Sequence, residues 1–168
     1  MTWLLRVAGA LVLLAAVTVG VVHLFGEDIW QGVADTPAAV PFERLTPATA
    51  SNEFLVCPEN VCGREPDLVS PVYGVTPDRL LETLRTRLIS RAGIPLTLDD
   101  GMLVYTTHSP VLRFPDDVSV RAFPAEDGGA RIAIRGKARI GVDDFGANET
   151  RAREWLALIE DLERRPAS

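Results

Sequence analysis

Histidine, cysteine and lysine are almost missing from this chain. Among 168 residues there are 2 His and 2 Cys, and Lys137 is the single lysine. His23 falls inside an apolar run, which leaves His108 as the one imidazole the rest of the chain can offer. A zinc site needs three or four nitrogen, sulfur or carboxylate ligands, so this inventory argues against one. No metal and no cofactor are expected. An excess of basic charge is lacking too. The net charge is -6 at pH 7, which argues against a nucleic-acid partner, because phosphate backbones require a basic face. Arginine supplies nearly all of the positive charge, a bias read here as compositional. There is no G-x-S-x-G elbow of the kind that presents a nucleophilic serine.

What the chain does have is one long apolar run, Val7 to Phe25 (VAGALVLLAAVTVGVVHLF), preceded by Arg6 and followed by Glu27 and Asp28. About 20 apolar residues rising 1.5 Å each cross a bilayer core of roughly 30 Å. A secretory signal has a shorter apolar core of about 7–15 residues and an A-x-A-like cleavage site, which the residues after Phe25 do not supply. An uncleaved anchor over residues 7–25 is therefore preferred to a cleaved signal. A buried core helix fits poorly, since the run has no polar face. Arg6 and the terminal amine precede the span, and no basic residue follows it until Arg44. By the positive-inside rule, residues 1–6 are expected in the cytoplasm and the remainder in the periplasm or otherwise outside the cytoplasm. Trp3 and Trp30 flank the run as interfacial anchors.

Residues 26–52 are rich in Ala, Thr and Pro, with Pro37, Pro41 and Pro47, and read as a partly stiffened linker. Cys57 and Cys62 then bracket CPENVC. Outside the cytoplasm a structural disulfide is the simplest outcome, with free thiols as the alternative. The C-x4-C spacing departs from the C-x-x-C of redox pairs.

The remainder, residues 53–163, reads as one globular domain, followed by a disordered tail over 164–168. Thr76, Pro77 and Asp78 open a helix in which Leu80, Leu81, Leu84, Leu88 and Ile89 share one face, stopped by Gly93 and Pro95. Met102–His108 reads as a strand, paired through Asp99, Asp100 and Gly101 with Ile94–Leu98. A further strand is expected near Asp117–Phe123, then a turn at Glu126–Gly129. Over Ala130–Ile140, apolar Ile132, Ile134, Gly136, Ala138 and Ile140 alternate with Arg131, Ala133, Arg135, Lys137 and Arg139. Asn148 is the expected N-cap of a last helix burying Ala152, Trp155, Leu156, Ile159 and Leu162. The expected fold is α+β: an antiparallel sheet of four or five strands with two helices on one face, preceded by a transmembrane helix and a linker.

Several motifs in the domain resemble the domain-of-unknown-function family 1499. They are Cys57-Pro58, Pro66-Asp67 with Ser70-Pro71, the run Phe114 to Val118, and above all Arg139-Ile140-Gly141-Val142-Asp143-Asp144-Phe145-Gly146-Ala147-Asn148. The resemblance covers about Phe54 to Leu162. The family usually carries Ser where Asp143 stands and Arg where Glu149 stands. The resemblance implies a bacterial or plastid domain that often follows a hydrophobic segment, and it brings no activity with it.

Candidate sites are few. Arg135, Lys137 and Arg139 face one way. They form either a solvated sheet face paired with Asp117 or Asp144, or an anion site for lipid headgroups, a carboxylate or an acidic partner. Asp144, Phe145 and Gly146 spell D-F-G but lack every other kinase element, so they read as a turn with Phe145 packed inward and Asn148 capping. The pairs Asp99-Asp100, Asp116-Asp117 and Asp143-Asp144 fall in expected turns, where Asp is favoured anyway. Two functions follow as expectations. The first is a membrane-anchored envelope domain that binds or scaffolds a protein, lipid or small anion. The alternative is an extracytoplasmic hydrolase using His108, beside Ser109, or the acidic pairs.

Overall fold

The computed structural model describes residues 2–31, 40–92, 97–99, 101–109 and 111–163. The tail 164–168, the middle of the expected linker (32–39), the helix stop at Gly93 and Pro95, Ile94, and Asp100 of the hairpin turn lie outside the described residues.

The helix α1 (Thr2–Gln31) contains the apolar run and extends past both of its ends. Its stretch Thr2–Gly26 is long and apolar enough to cross a membrane, a test that signal sequences also pass, and its most apolar window buries nothing against the rest of the chain. The last turn and a half continues beyond the run and meets the domain. Trp30 Nε1 donates to the Leu112 carbonyl at 2.8 Å. Its ring centroid lies 4.9 Å from that of Phe114. Gly26 faces Arg113 so closely that a Cβ there would stand 2.7 Å from Arg113 Cβ.

The domain is α+β, as the alternating and helical periods predict. Its strands are β1 (Glu53–Cys57), β2 (Leu68–Val69), β3 (Thr97–Asp99), β4 (Met102–His108), β5 (Pro115–Pro124) and β6 (Ala130–Ala138), ordered β2-β1-β6-β5-β4-β3. Five of them, β1, β6, β5, β4 and β3, pair antiparallel with one another in that order. The two-residue β2 adds a parallel edge beside β1. The helices α2 (Pro77–Ala92) and α3 (Ala147–Ala157) cover one face. That core joins Leu80, Leu84 and Leu88 of α2 and Ala152 and Trp155 of α3 to Val118, Val120, Ile132 and Ile134 of the sheet. Ile89, expected on the buried side of α2, is exposed, since as the residue after Leu88 it points about 100° round the helix from the Leu80–Leu84–Leu88 row.

The opposite face was expected to be solvated. Part of it is instead covered, because the chain before β1 folds under the sheet. Phe42 begins a 3-10 turn, Phe42–Arg44. Phe42 and Leu45 are buried with Leu55, Cys57, Met102 and Ala133 in a second core. Phe42 and Leu45, withdrawn from water, each contribute about 2 kcal/mol. The end of the Pro-rich stretch is thus a packed element and not tether. The Cys57–Cys62 bridge, with Cα atoms 6.4 Å apart, closes the loop that borders this second core.

Candidate functional site

Arg135 and Lys137 lie on the face away from the helices, and the Arg139 side chain reaches the same side. Strand register sets two acids among them: Lys137 is opposite Glu53 on one neighbour and Asp117 on the other. Arg135 donates to both Glu53 oxygens, from Nε at 3.0 Å and Nη2 at 2.9 Å. Arg64 Nη2 reaches the same carboxylate at 3.3 Å and Asp67 at 3.0 Å. Lys137 Nζ is 3.6 Å from it. Arg139 grips Asp117 from Nε at 2.8 Å and Nη2 at 2.6 Å, and Nη2 also donates to Thr106 Oγ1 at 2.9 Å.

Burial alone would lift the Glu53 pKa. The hydrogen bond and charge of Arg135, with Arg64 and Lys137, outweigh that and hold it below the ordinary carboxylate value. The hydrogen bond from Arg139 to Asp117 raises the Arg139 pKa against its own partial burial. These guanidinium forks are engaged by carboxylates of the protein itself. Only Lys137 keeps an open side chain, 48% exposed, while Glu53 is 5% exposed. Of the two acids expected as partners, Asp117 plays that part and Asp144 does not.

Asp144 belongs to the turn after β6. Its Oδ1 accepts from the Gly146 N–H at 3.0 Å and its Oδ2 from the Asn148 N–H at 3.0 Å. The neighbouring Asp143 Oδ1 accepts from the Phe145 N–H at 2.7 Å. Two expectations are corrected here. Phe145 does not pack inward: it is 95% exposed and held at φ 53°. Asn148 is not the N-cap: Gly146 occupies that position at φ 77°, and Asp144 satisfies the first helical N–H groups. The Asn148 carboxamide is needed elsewhere. It is buried against Gly136, accepts from Arg151, and its Nδ2 is 3.5 Å from the Asn52 carbonyl.

His108 ends β4 opposite Pro115. Burial and the nearby Arg139 charge lower its pKa, against an opposing pull from Asp116. Ser109 Oγ accepts from the Phe114 N–H at 2.9 Å, which ties it to its own loop. Asp116 pairs with Arg151 at 3.0 Å on the helix side. Asp116 and Asp117, which lie in β5 rather than in a turn, are therefore held in ion pairs, and Asp143 and Asp144 accept turn N–H groups. Among the described residues no group of three His, Cys, Asp or Glu is placed to hold a metal. An open groove of about 630 Å³ runs beside the disulfide loop, between Glu59, Arg64, Pro66 and Val69, and His108 is not in its walls.

Glu53, the hub of the cation cluster, is not among the residues that the sequence singles out. The signal was present, because Glu53, Leu55 and Cys57 share one face at strand period. A lone acid beside a Pro-rich stretch nonetheless looks like surface. The Cys57-Pro58, Pro66-Asp67 and Ser70-Pro71 motifs converge at the parallel edge. There Asp67 Oδ2 accepts from the Leu55 N–H at 2.8 Å and Ser70 Oγ from the Ile132 N–H at 2.9 Å.

No curated protein matches the chain. The turn of the Arg139–Asn148 run, its strand before and its helix behind stand in the order expected. The model of DUF1499, described as a protein of unknown function, matches residues 44–159, from the packed segment before β1 to the end of the helical core, and the chain belongs to that family.

Proposed function

We propose that this chain is a single-pass membrane protein with its N-terminus in the cytoplasm and its domain outside, serving to bind or scaffold rather than to catalyse. The observation that carries the reading is α1. It is unburied along its apolar length, unbroken through Gln31, and packed by Trp30 onto Leu112 and Phe114. A signal peptide has no reason to continue as a helix that docks on the mature domain, whereas an anchor that orients its domain does. The Cys57–Cys62 bridge supports an oxidising compartment.

Arg135 and Arg139 then build the face, and Lys137 is the one cation of the three open to an anionic partner. The hydrolase reading has less support, since Ser109, Asp116, Asp117, Asp143 and Asp144 have structural duties. The test is a pair of fusions at the C-terminus. Alkaline phosphatase, which folds only outside the cytoplasm, should be active in intact cells, and a cytoplasmic fluorescent protein should be dark. The reverse pattern, or recovery of the unprocessed chain in the soluble fraction, would overturn the reading.

A further inference from the structure

We propose that the domain makes a second contact with the bilayer that α1 spans, through the apolar tips of two loops: Val111 and Leu112 before β5, and Val142 and Phe145 after β6. The inference rests on the anchored reading above and extends it to a surface.

The first loop is placed by α1. Gly26 ends the apolar stretch and abuts Arg113. Trp30 lies one turn further, about 6 Å along the axis, and donates to the Leu112 carbonyl. Residues 112 and 113 therefore lie at the depth where the helix leaves hydrocarbon for headgroups. Val111, 55% exposed, and the exposed Leu112 are at that level. Trp30 itself is a typical interfacial residue.

The second loop is placed by the sheet. His108 pairs with Pro115, so β4 ends and β5 begins at the loop that touches α1. β6 ends beside them, with Asp116 opposite Ala138 and the Arg139 N–H donating to the Pro115 carbonyl at 3.0 Å. The turn carrying Val142 and Phe145 leaves from that same sheet end, tied down by the Asp144 N–H on the Ser51 carbonyl at 3.3 Å. Neighbouring strands lie about 4.8 Å apart, so the two loops leave neighbouring strand ends on one edge of the domain.

Among the described residues of the folded domain Phe145 is the most exposed large apolar side chain, at 95%, and Val142 is 78% exposed. Phe145 adopts a left-handed backbone that costs a non-glycine residue about 1–2 kcal/mol, and Asp143 and Asp144 hold the turn there. A strained turn that holds an aromatic ring out beside a second exposed apolar side chain marks a candidate contact surface. The lipid surface to which α1 fixes this end of the sheet is already in place.

The test uses the full chain in vesicles of phosphatidylcholine with phosphatidylglycerol. An environment-sensitive label is placed on Phe145→Cys, Val142→Cys, Leu112→Cys and Glu126→Cys in turn, the native cysteines being bridged. Glu126 is exposed in the β5–β6 turn at the far end of the sheet. Labels at 145 and 142 should be quenched by lipids carrying a quencher near the headgroup, as at 112, and should shift to the blue, while the label at 126 does neither. Quenching at 145 and 142 no greater than at 126 overturns the proposal, including the case in which the ring is covered by a second copy of the chain. Extraction at alkaline pH separates this from failure of the anchor: a chain that stays in the pellet with unquenched labels leaves α1 as the sole contact, whereas one that is released removes the anchored reading itself.

Discussion

Gly136 on β6 lies directly beneath Asn148 on α3: a Cβ on Gly136 would stand 2.3 Å from Asn148 Oδ1 and 2.8 Å from its Cγ. The glycine is needed for close approach, since only a bare Cα lets the helix come down onto the strand. Asn148 cannot swing aside cheaply, being buried and tied to Arg151 and the Asn52 carbonyl. Gly136→Ala should destabilise the domain by about 2–3 kcal/mol, as overpacking of a dense interior does. Denaturant unfolding of the full chain in detergent checks this. Adding Asn148→Ala should recover part of the loss, and two strictly additive losses would show that the residues do not meet.

The bridge between Cys57 and Cys62 spans a sequence separation of 5. So short a loop removes little chain entropy, and the stabilisation expected from it is about 2 kcal/mol. Because Cys57 is also part of the second core with Phe42 and Leu55, reduction should loosen the packed segment before β1. Reductant, or the double substitution Cys57→Ala with Cys62→Ala, should lower Tm by about 5–10 °C. A melting curve indifferent to reductant would mean that the two sulfurs are not joined in the protein as isolated.

Tyr73 is fully buried, and among the described residues nothing reaches its hydroxyl. Its backbone is well served, exchanging hydrogen bonds with Ala130 at 2.8 and 3.0 Å. Burial, with the nearby Glu163 adding to it, pushes the phenol pKa well above its ordinary value. An unpaired buried hydroxyl carries a desolvation cost of about 1–3 kcal/mol. Tyr73→Phe should therefore leave stability unchanged or raise it by about 1 kcal/mol. A clear loss in denaturant unfolding would reveal a partner for the hydroxyl.

Much of this architecture was legible because periodicity is local. The alternation over Ala130–Ile140 marked β6, which ends at Ala138, and the Leu80–Leu84–Leu88 row marked α2, without knowledge of any neighbour. What escaped notice depends on contacts between distant segments. Phe42 stands among prolines and shows no period, yet it closes the second core. Glu53, set among the cations of β6, has no period that marks it as their partner, and register alone brings it opposite Lys137. Phe145 misled because an apolar residue in a turn is usually drawn inward, whereas Asp143 and Asp144 hold this backbone in a conformation that points the ring out.

Two buried acids on opposite sheet faces should give the domain opposing responses to acid. Glu53 is held below its ordinary value, so its contribution is complete above about pH 4.5 and is lost as pH falls through the lower folded value. Asp116 is the reverse case. Burial, helped by Asp144 and Asp117, outweighs the attraction of Arg151 and raises its pKa above 3.8. The folded state thus binds the Asp116 proton more tightly than the unfolded chain does. That contribution is complete below 3.8 and is lost as pH rises through the folded value. Glu53→Gln should cost stability at neutral pH, because three cations lose their common carboxylate, and it should flatten the fall of stability in acid. Asp116→Asn should make the same fall steeper, since the opposing contribution is gone. Urea unfolding between about pH 3 and 7 distinguishes the two slopes. Parallel acid limbs for both variants and the parent chain would mean that neither carboxyl is perturbed as its surroundings require.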